Sequence, residues 1–216
     1  MENVKIYSFV GAEHEEIPYY IAQALSEKKK NVLVIDNSVK HNLFESLNRL
    51  DEEADSVEAG KIIFLRNKRF TENTLEKFDC VVVFHGMNPD LEMMDASDRN
   101  VLVLSYLTSE LREIMNTMDL DDVVEYENLS YLFKDKPSSK VSETYIKKML
   151  DLPQVEDETV ISFDENDLAM KSNFEYNGIQ PVKGLSSETR AYINSFVNEV
   201  TTGKKKEDNK KKEEDE

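Results

Sequence analysis

The chain has 216 residues, enough for one ordinary α/β domain with a sizeable core, and 27 basic against 44 acidic residues give it a net charge of −17. That balance argues against nonspecific nucleic-acid binding, which needs basic side chains to displace counterions from phosphates, and no segregated basic patch stands out. No apolar run approaches the roughly 20 residues of a bilayer-crossing helix, and no cationic-then-apolar leader opens the chain, so a cytoplasmic protein is expected.

The first predicted strand, VKIYSFV (4–10), runs into the loop GAEHEE and then a helix over 17–30. That helix puts Ile17, Ile21, Ala24 and Leu25 on one face, with Pro18 in its first turn. NVLVID (31–36) is the second strand, followed by a helix over 41–50, the strand KIIFL (61–65) and a helix over 72–78. The strands CVVVFH (80–85) and NVLVLSY (100–106) come next, then a helix over 108–118 and the strand LSYLFK (129–134). A helix over 141–150 with Ser142 as its cap, the strand TVISF (159–163) and a helix over 186–200 complete the pattern. The strands are β-branched runs with little alternation, as expected for strands buried on both faces of a parallel sheet. Strand–helix alternation of this kind specifies a doubly wound, mainly parallel α/β sheet of about seven strands with helices on both faces. A single domain is expected over 1–203. The tail 204–216, KKKEDNKKKEEDE, has six lysines and six acids, nothing to bury, and is expected to be disordered.

In such a sheet ligands bind at the carboxyl ends of the strands. Those ends are GAEHEE after the first strand, DNS after the second, HGMN after the fourth, LTSE after the fifth and KDKPSS after the sixth. The lone cysteine, Cys80 in CVVVF, excludes an intramolecular disulfide and reads as a core residue.

The order and spacing of these segments resemble the MinD/ParA-like branch of the P-loop NTPases, SIMIBI-type proteins with a deviant Walker A loop. VKIYSFVG is similar to that family's first strand, IAQALSEKKKNVLVID to its next helix and second strand, and LEKFDCVVVF to its Walker B strand. ASDRNVLVLSYLTSELREI resembles the following strand and helix, and VISFDENDLAMKSNFEYNGIQPV the late segment that passes the base-binding side. The resemblance implies a P-loop three-layer sandwich. The family's catalytic motifs do not carry over. Its loop is K-G-G-x-G-K-[ST]; here Gly11 matches one glycine, both lysines are missing, and no Ser or Thr occurs between Ser8 and Ser26. The Walker B aspartate position falls at Phe84, and the Asp-x-Asp pair after the second strand keeps Asp36 but has Ser38. Gly11, Asp36, Ser38 and Phe84 are thus vestigial nucleotide-site positions.

A phosphate loop works because glycines let backbone N–H groups wrap the phosphates, a lysine neutralises their charge and a hydroxyl holds Mg²⁺. Here the loop carries Glu13, Glu15 and Glu16, with no Lys or Arg from Ile6 to Glu27 and only His14 as a candidate cation. Two like charges 4 Å apart repel by about 4 kcal/mol at an effective dielectric of about 20, whereas a helix N-terminus favours an anion by at most about 2 kcal/mol. Repulsion wins, so no cofactor and no catalytic residue are expected. The glutamates complement the helix dipole and read as internal anions where the family holds a nucleotide. No metal is expected, because His14, His41 and His85 show no ligand spacing. Asp36 reads as a cap at a strand end, His85-Gly86 as a turn, and Met87, Met93 and Met94 as core rather than an adaptable surface. Ser105 and Ser109 lack a nucleophile elbow.

The resemblance implies a pseudo-ATPase acting through protein partners, similar to the TadZ/CpaE group of localisation factors for pilus and secretion assemblies. The alternative is an unorthodox ATPase whose site a partner subunit completes; a phosphorylation switch at Asp36 is a third. Glu13, His14, Glu15 and Glu16 are the candidate partner contact. The family's nucleotide-sandwiched dimer uses a lysine that is missing here, so that dimer is not expected, while a homodimer through another surface stays open. MinD-like proteins often bind lipid through a C-terminal amphipathic helix; KKKEDNKKKEEDE has no apolar face, so no direct membrane binding is expected.

Overall fold

Each apolar run of the sequence becomes a strand of one sheet. The strands are β1 (Lys5–Gly11), β2 (Val32–Asp36), β3 (Ser56–Ala59), β4 (Ile62–Arg66), β5 (Cys80–Gly86), β6 (Arg99–Leu104), β7 (Leu129–Lys136) and β8 (Asp157–Ser162). The computed structural model describes residues 4–47, 53–138, 140–177 and 182–202, and the tail expected over 204–216 lies outside them. Across the sheet the order is β3-β4-β2-β5-β1-β6-β7-β8. Every neighbouring pair is parallel except the antiparallel β3–β4.

The strand beyond the expected seven is β3. Its sequence, SVEA, alternates exposed and half-buried residues, as an edge strand wet on one face does. It holds no apolar run to mark it. Gly60, at φ +64°, makes the tight turn from Ala59 into β4, where Ala59 pairs with Ile62.

The helices are α1 (Glu16–Glu27), α2 (Asn42–Glu45), α3 (Glu72–Leu75), α4 (Leu91–Asp95), α5 (Thr108–Thr117), α6 (Leu120–Val124), α7 (Glu143–Met149), α8 (Glu165–Asn177) and α9 (Ser187–Thr202). Three of them have no counterpart in the sequence reading. Two, α4 and α6, are five residues long and too short to show a period. In the third, α8, apolar residues point in all directions: Phe174 is buried, while Leu168 and Tyr176 are exposed. The helix expected over 41–50 ends at Glu45, and 48–50 lie outside the described residues. Ser142 caps α7 as expected, its hydroxyl accepting the Tyr145 N–H at 3.3 Å. The strand expected to reach 106 stops at Leu104, because the Ser105 hydroxyl accepts the Leu107 N–H at 3.0 Å and turns the chain into α5.

Side chains alternate across the sheet and build two cores. Leu33, Ile35, Val81 and Val83 meet Met93, with Leu75 and Phe78 packed beside them. Val32, Val34, Cys80, Val82 and Phe84 face the larger core, shared with α1 and α9. Met87 and Met94 are buried there too. His85 and Gly86, expected in a turn, are instead the last residues of β5, fully buried in a polar seam. The His85 Nδ1 accepts the Asp90 N–H at 3.3 Å, which leaves Nε2–H to donate to the Ser8 hydroxyl at 3.2 Å. Ser8 in turn meets Ser97, which donates to the Met93 carbonyl at 2.9 Å and so ties α4 to the sheet.

In the larger core α9 delivers Phe196 into a ring cluster. Tyr7 meets it edge-on at 4.9 Å, Tyr192 at 5.2 Å and Phe9 at 5.7 Å, while the Arg99 guanidinium lies 4.6 Å from its centroid. Phe196→Ala is expected to cost about 3–5 kcal/mol, read by urea unfolding followed by circular dichroism; a loss below about 1 kcal/mol would contradict this placement.

Candidate functional site at the carboxyl end of the central strand

Strand β1 lies between β5 and β6, where the connections diverge to the two sides of the sheet. In open α/β sheets the crevice outside the carboxyl ends at such a point is the ligand position. Gly11 ends β1 there at φ +113°, and a Cβ on it would stand 2.3 Å from the Val103 carbonyl oxygen. Only glycine fits. The loop then folds on itself. The Ala12 N–H donates to the Val103 carbonyl at 2.9 Å, the His14 N–H to the Ala12 carbonyl at 2.9 Å, and the Ile17 N–H to the His14 carbonyl at 3.0 Å. These donors are spent within the protein.

The three glutamates have different fates. Glu13 stands at the rim and accepts from Lys40 Nζ and Asn42 Nδ2, each at 3.2 Å. Glu16, in the first turn of α1, is buried between the His14 ring at 2.9 Å and Lys171 Nζ at 3.1 Å. Glu15 is 4 % exposed, with its Oε1 3.8 Å from Lys171 and its Oε2 without a hydrogen-bond partner among the described residues. Lys171 also donates to the Glu13 carbonyl at 3.3 Å. The loop expected to have no cation beyond His14 therefore receives one through tertiary structure, from α8, a helix with no amphipathic signature in the sequence.

The protonation energetics follow from this packing. Burial works against the Glu16 charge, but Lys171 and His14 outweigh it and hold its carboxyl well below the usual range. Glu15 moves the other way: burial, and then the Glu16 charge beside it, push it up to about 7 against the pull of Lys171. Burial opposes the Lys171 charge, and the two glutamates more than restore it, raising its pKa. Lys134, buried at the end of β7 and paired with Asp135, adds to the field that keeps Glu16 ionised.

The remaining positions expected at the site, Asp36, Ser38 and Phe84, make structural contacts. Asp36 is fully buried; its Oδ1 accepts the Ser38 N–H at 3.0 Å and hydroxyl at 2.6 Å, and its Oδ2 accepts the Phe44 N–H at 2.9 Å. Burial raises its pKa against those bonds. The Ser38 hydroxyl accepts the His41 N–H at 3.1 Å, closing a cap over α2. Phe84 pairs with Asp36 across the β2–β5 register and sends its ring into the core. The structure thus gathers Gly11, Glu13, His14, Glu15 and Glu16 at one place, while Asp36 and Ser38 lie beyond β5 and are linked to the loop indirectly, through α2, whose Asn42 donates to Glu13. Lys171 and Lys134, which complete the network, escaped sequence reasoning because nothing in their own segments, the late segment and the strand LSYLFK, says that either side chain faces the β1–α1 loop. Two cavities border it. One, of about 20 Å³, is lined by Glu16, Lys134, Asp135, Asp167 and Lys171 and holds roughly one water. The other is an open cleft of about 360 Å³ lined by Glu15, Asn42, Glu45, Ser46 and Glu175. Among the described residues no group of His, Cys, Asp and Glu has the geometry to hold a metal ion.

No family model matches the chain, and no curated protein matches it in sequence. Solved structures do. A ParA family ATPase from Chlorobium tepidum TLS is similar at a TM-score of 0.64 and 13 % identity, over 91 % of this chain and 99 % of that one. A chain of the MinC:MinD cell division protein complex of Aquifex aeolicus is similar at 0.62 and 14 % identity, over 94 % and 97 %. The apo McdA of Cyanthece is similar at 0.60 and 12 % identity, over 92 % and 99 %. The chain therefore has the P-loop fold of the ParA/MinD ATPases.

Two outcomes are expected at this site. Lys171→Met leaves Glu16 buried without its lysine and costs about 2–4 kcal/mol, less than the roughly 3–5 kcal/mol of a fully buried broken pair because the lysine is partly exposed. The double variant Lys171→Met/Glu16→Gln recovers much of the loss in urea unfolding, and a fully additive double variant would contradict the pairing. The second outcome concerns pH. Glu15 binds its proton more tightly folded than unfolded, so its contribution to stability is full at low pH and is lost as pH rises towards about 7. His85, lowered to about 4 by burial, runs the opposite way, gaining stability as pH rises through the ordinary histidine range. The comparison is therefore between wild type and Glu15→Gln, which keeps His14, Glu16, Lys40 and Lys171 in place. The stability of the variant relative to wild type should rise between about pH 5 and 7 and then level off; a flat difference would refute it.

Proposed function

We propose that this protein is a non-catalytic protein of the ParA/MinD fold that works by binding other proteins. One observation carries the proposal: the place where a phosphate loop wraps its ligand is taken up by the chain's own Glu16–Lys171 pair, with Glu15 beside it. The residues present do not fit a nucleoside triphosphate. Loop N–H groups donate to the chain's own carbonyls, the enclosed space is about 20 Å³, and the adjoining cleft is walled by the carboxylates of Glu15, Glu45 and Glu175. The position of a magnesium-binding aspartate is the core residue Phe84. A triphosphate brought here meets like charge in a partly desolvated site, where repulsion is strongest.

Protein binding fits this fold, since one of the similar structures is the MinC:MinD cell division protein complex. Within that class we favour a localisation or assembly factor for a larger machine such as a pilus or secretion apparatus, acting in the cytoplasm. Among the described residues no helix is long and apolar enough to cross a membrane.

Calorimetric titration of the purified protein with Mg-ATP and Mg-GTP tests the proposal. No saturable heat is expected at millimolar nucleotide, and no phosphate release. Saturable micromolar binding would overturn the non-catalytic proposal and favour an ATPase with an unorthodox site, completed by a partner subunit.

A further inference from the structure

The carboxylates around the former phosphate position are not equally satisfied. Glu13 has Lys40 and Asn42; Glu16 bonds His14 through Oε1, and its Oε2, which also accepts no hydrogen bond among the described residues, is compensated by the Lys171 ammonium at 3.1 Å. Glu15 shares Lys171 only at 3.8 Å, because that ammonium is committed to Glu16 at 3.1 Å and to the Glu13 carbonyl at 3.3 Å. Its Oε2 is buried and accepts no hydrogen bond among the described residues. A buried carboxylate oxygen without a donor is a standing cost, which a cation or an N–H donor would remove.

Glu15 lines the open cleft of about 360 Å³, a volume within the range of ligand sites. Asn42, Glu45 and Ser46 form the wall at α2, and Glu175 the wall at α8. The lining is acidic, and the carboxylates are too dispersed to converge on a metal ion. A cation that bridges them must be extended and carry several N–H groups in different directions, as a guanidinium does. Glu45 already receives one guanidinium, that of Arg66, at 3.1 Å. The net charge of −17 would also draw a basic partner towards this surface.

We propose that this cleft is a docking site for a basic side chain, arginine above all, presented by a partner protein, with Glu15 as the acceptor at its floor and Glu175 as its outer wall. The proposal deepens the protein-binding role above and rests on it.

The probe is a fluorescent penta-arginine peptide, acetylated and amidated, followed by anisotropy at near-physiological salt and at about pH 8, where Glu15 is ionised. Wild type should bind it saturably, one to one. Glu15→Gln should weaken binding at least about tenfold and Glu175→Gln about threefold, while Glu76→Gln, an exposed carboxylate outside the cleft, should change it less than about twofold. Thermal melting establishes that Glu15→Gln is folded; should it fail to fold, the exposed Glu175 decides against Glu76 alone. Equal losses for Glu175→Gln and Glu76→Gln, or no saturable binding by wild type, would overturn the site. Free arginine binding as tightly as the peptide would overturn the partner-protein assignment. The two proposals fail separately. A chain that binds ATP yet captures the peptide through Glu15 loses only the non-catalytic role, and a chain silent to nucleotide with position-independent peptide binding loses only this cleft.

Discussion

The ammonium of Lys171 reaches three residues of the β1–α1 loop: Glu16 at 3.1 Å, Glu15 at 3.8 Å and the Glu13 carbonyl at 3.3 Å. Two adjacent carboxylates are buried at the start of α1, and the helix dipole alone would compensate little of their desolvation. Lys171, with help from His14 and the buried Lys134, makes the arrangement tolerable. The result is a loop stabilised by charges of the chain itself.

The position of Lys171 depends on how α8 is held. Its apolar residues form no stripe, so it docks through particular contacts instead. Phe174 stacks on Tyr19 of α1 at 4.2 Å. Asp167 accepts from the Ser186 N–H at 2.6 Å, the Ser186 hydroxyl at 2.8 Å and the Thr189 hydroxyl at 2.5 Å, which fastens the start of α8 to α9. The Asp167 contacts also satisfy a donor at the start of α9. One ring, one carboxylate and one ammonium thus fix a helix that leaves Leu168 and Tyr176 in solvent. The same placement sets Glu175 opposite α2 and opens the acidic cleft between them.

The opposite end of the sheet is held differently. Arg99 bridges Glu199 at 3.2 Å and Asp157 while lying over Phe196, so its charge and its planar face are both used. That end reads as mechanical support for α9. The carboxyl end holds the buried Glu15, whose Oε2 has no hydrogen-bond partner among the described residues and whose pKa is pushed up to about 7, beside the acidic cleft.

Much of the fold was legible in the sequence because burial on both sheet faces demands unbroken β-branched runs: VLVI, CVVVF and VLVL each became a central strand. The roles of Ser142, a short polar side chain at a helix start, and of Asp36, a polar residue at a strand end that caps the loop after it, were legible too. Edge strand β3 was not, because SVEA buries too little to need a run, and neither was α8, whose contacts are individual rather than periodic. At the site, the single glycine of the β1–α1 loop, the lack of lysine and hydroxyl side chains in it and its surplus of carboxylates could be read directly. What those carboxylates meet could not. Glu13 and Lys171 are 158 residues apart, and only the closing of α8 over the loop makes them neighbours. The sequence by itself determined the central strands of the sheet and the acidity of its central loop, because both are local in character. The tertiary structure alone decided that Glu16 is paired, that Glu13 is anchored at the rim and that Glu15 keeps one oxygen unsatisfied, because the energy of a buried charge depends on the groups folded against it rather than on its neighbours in the chain.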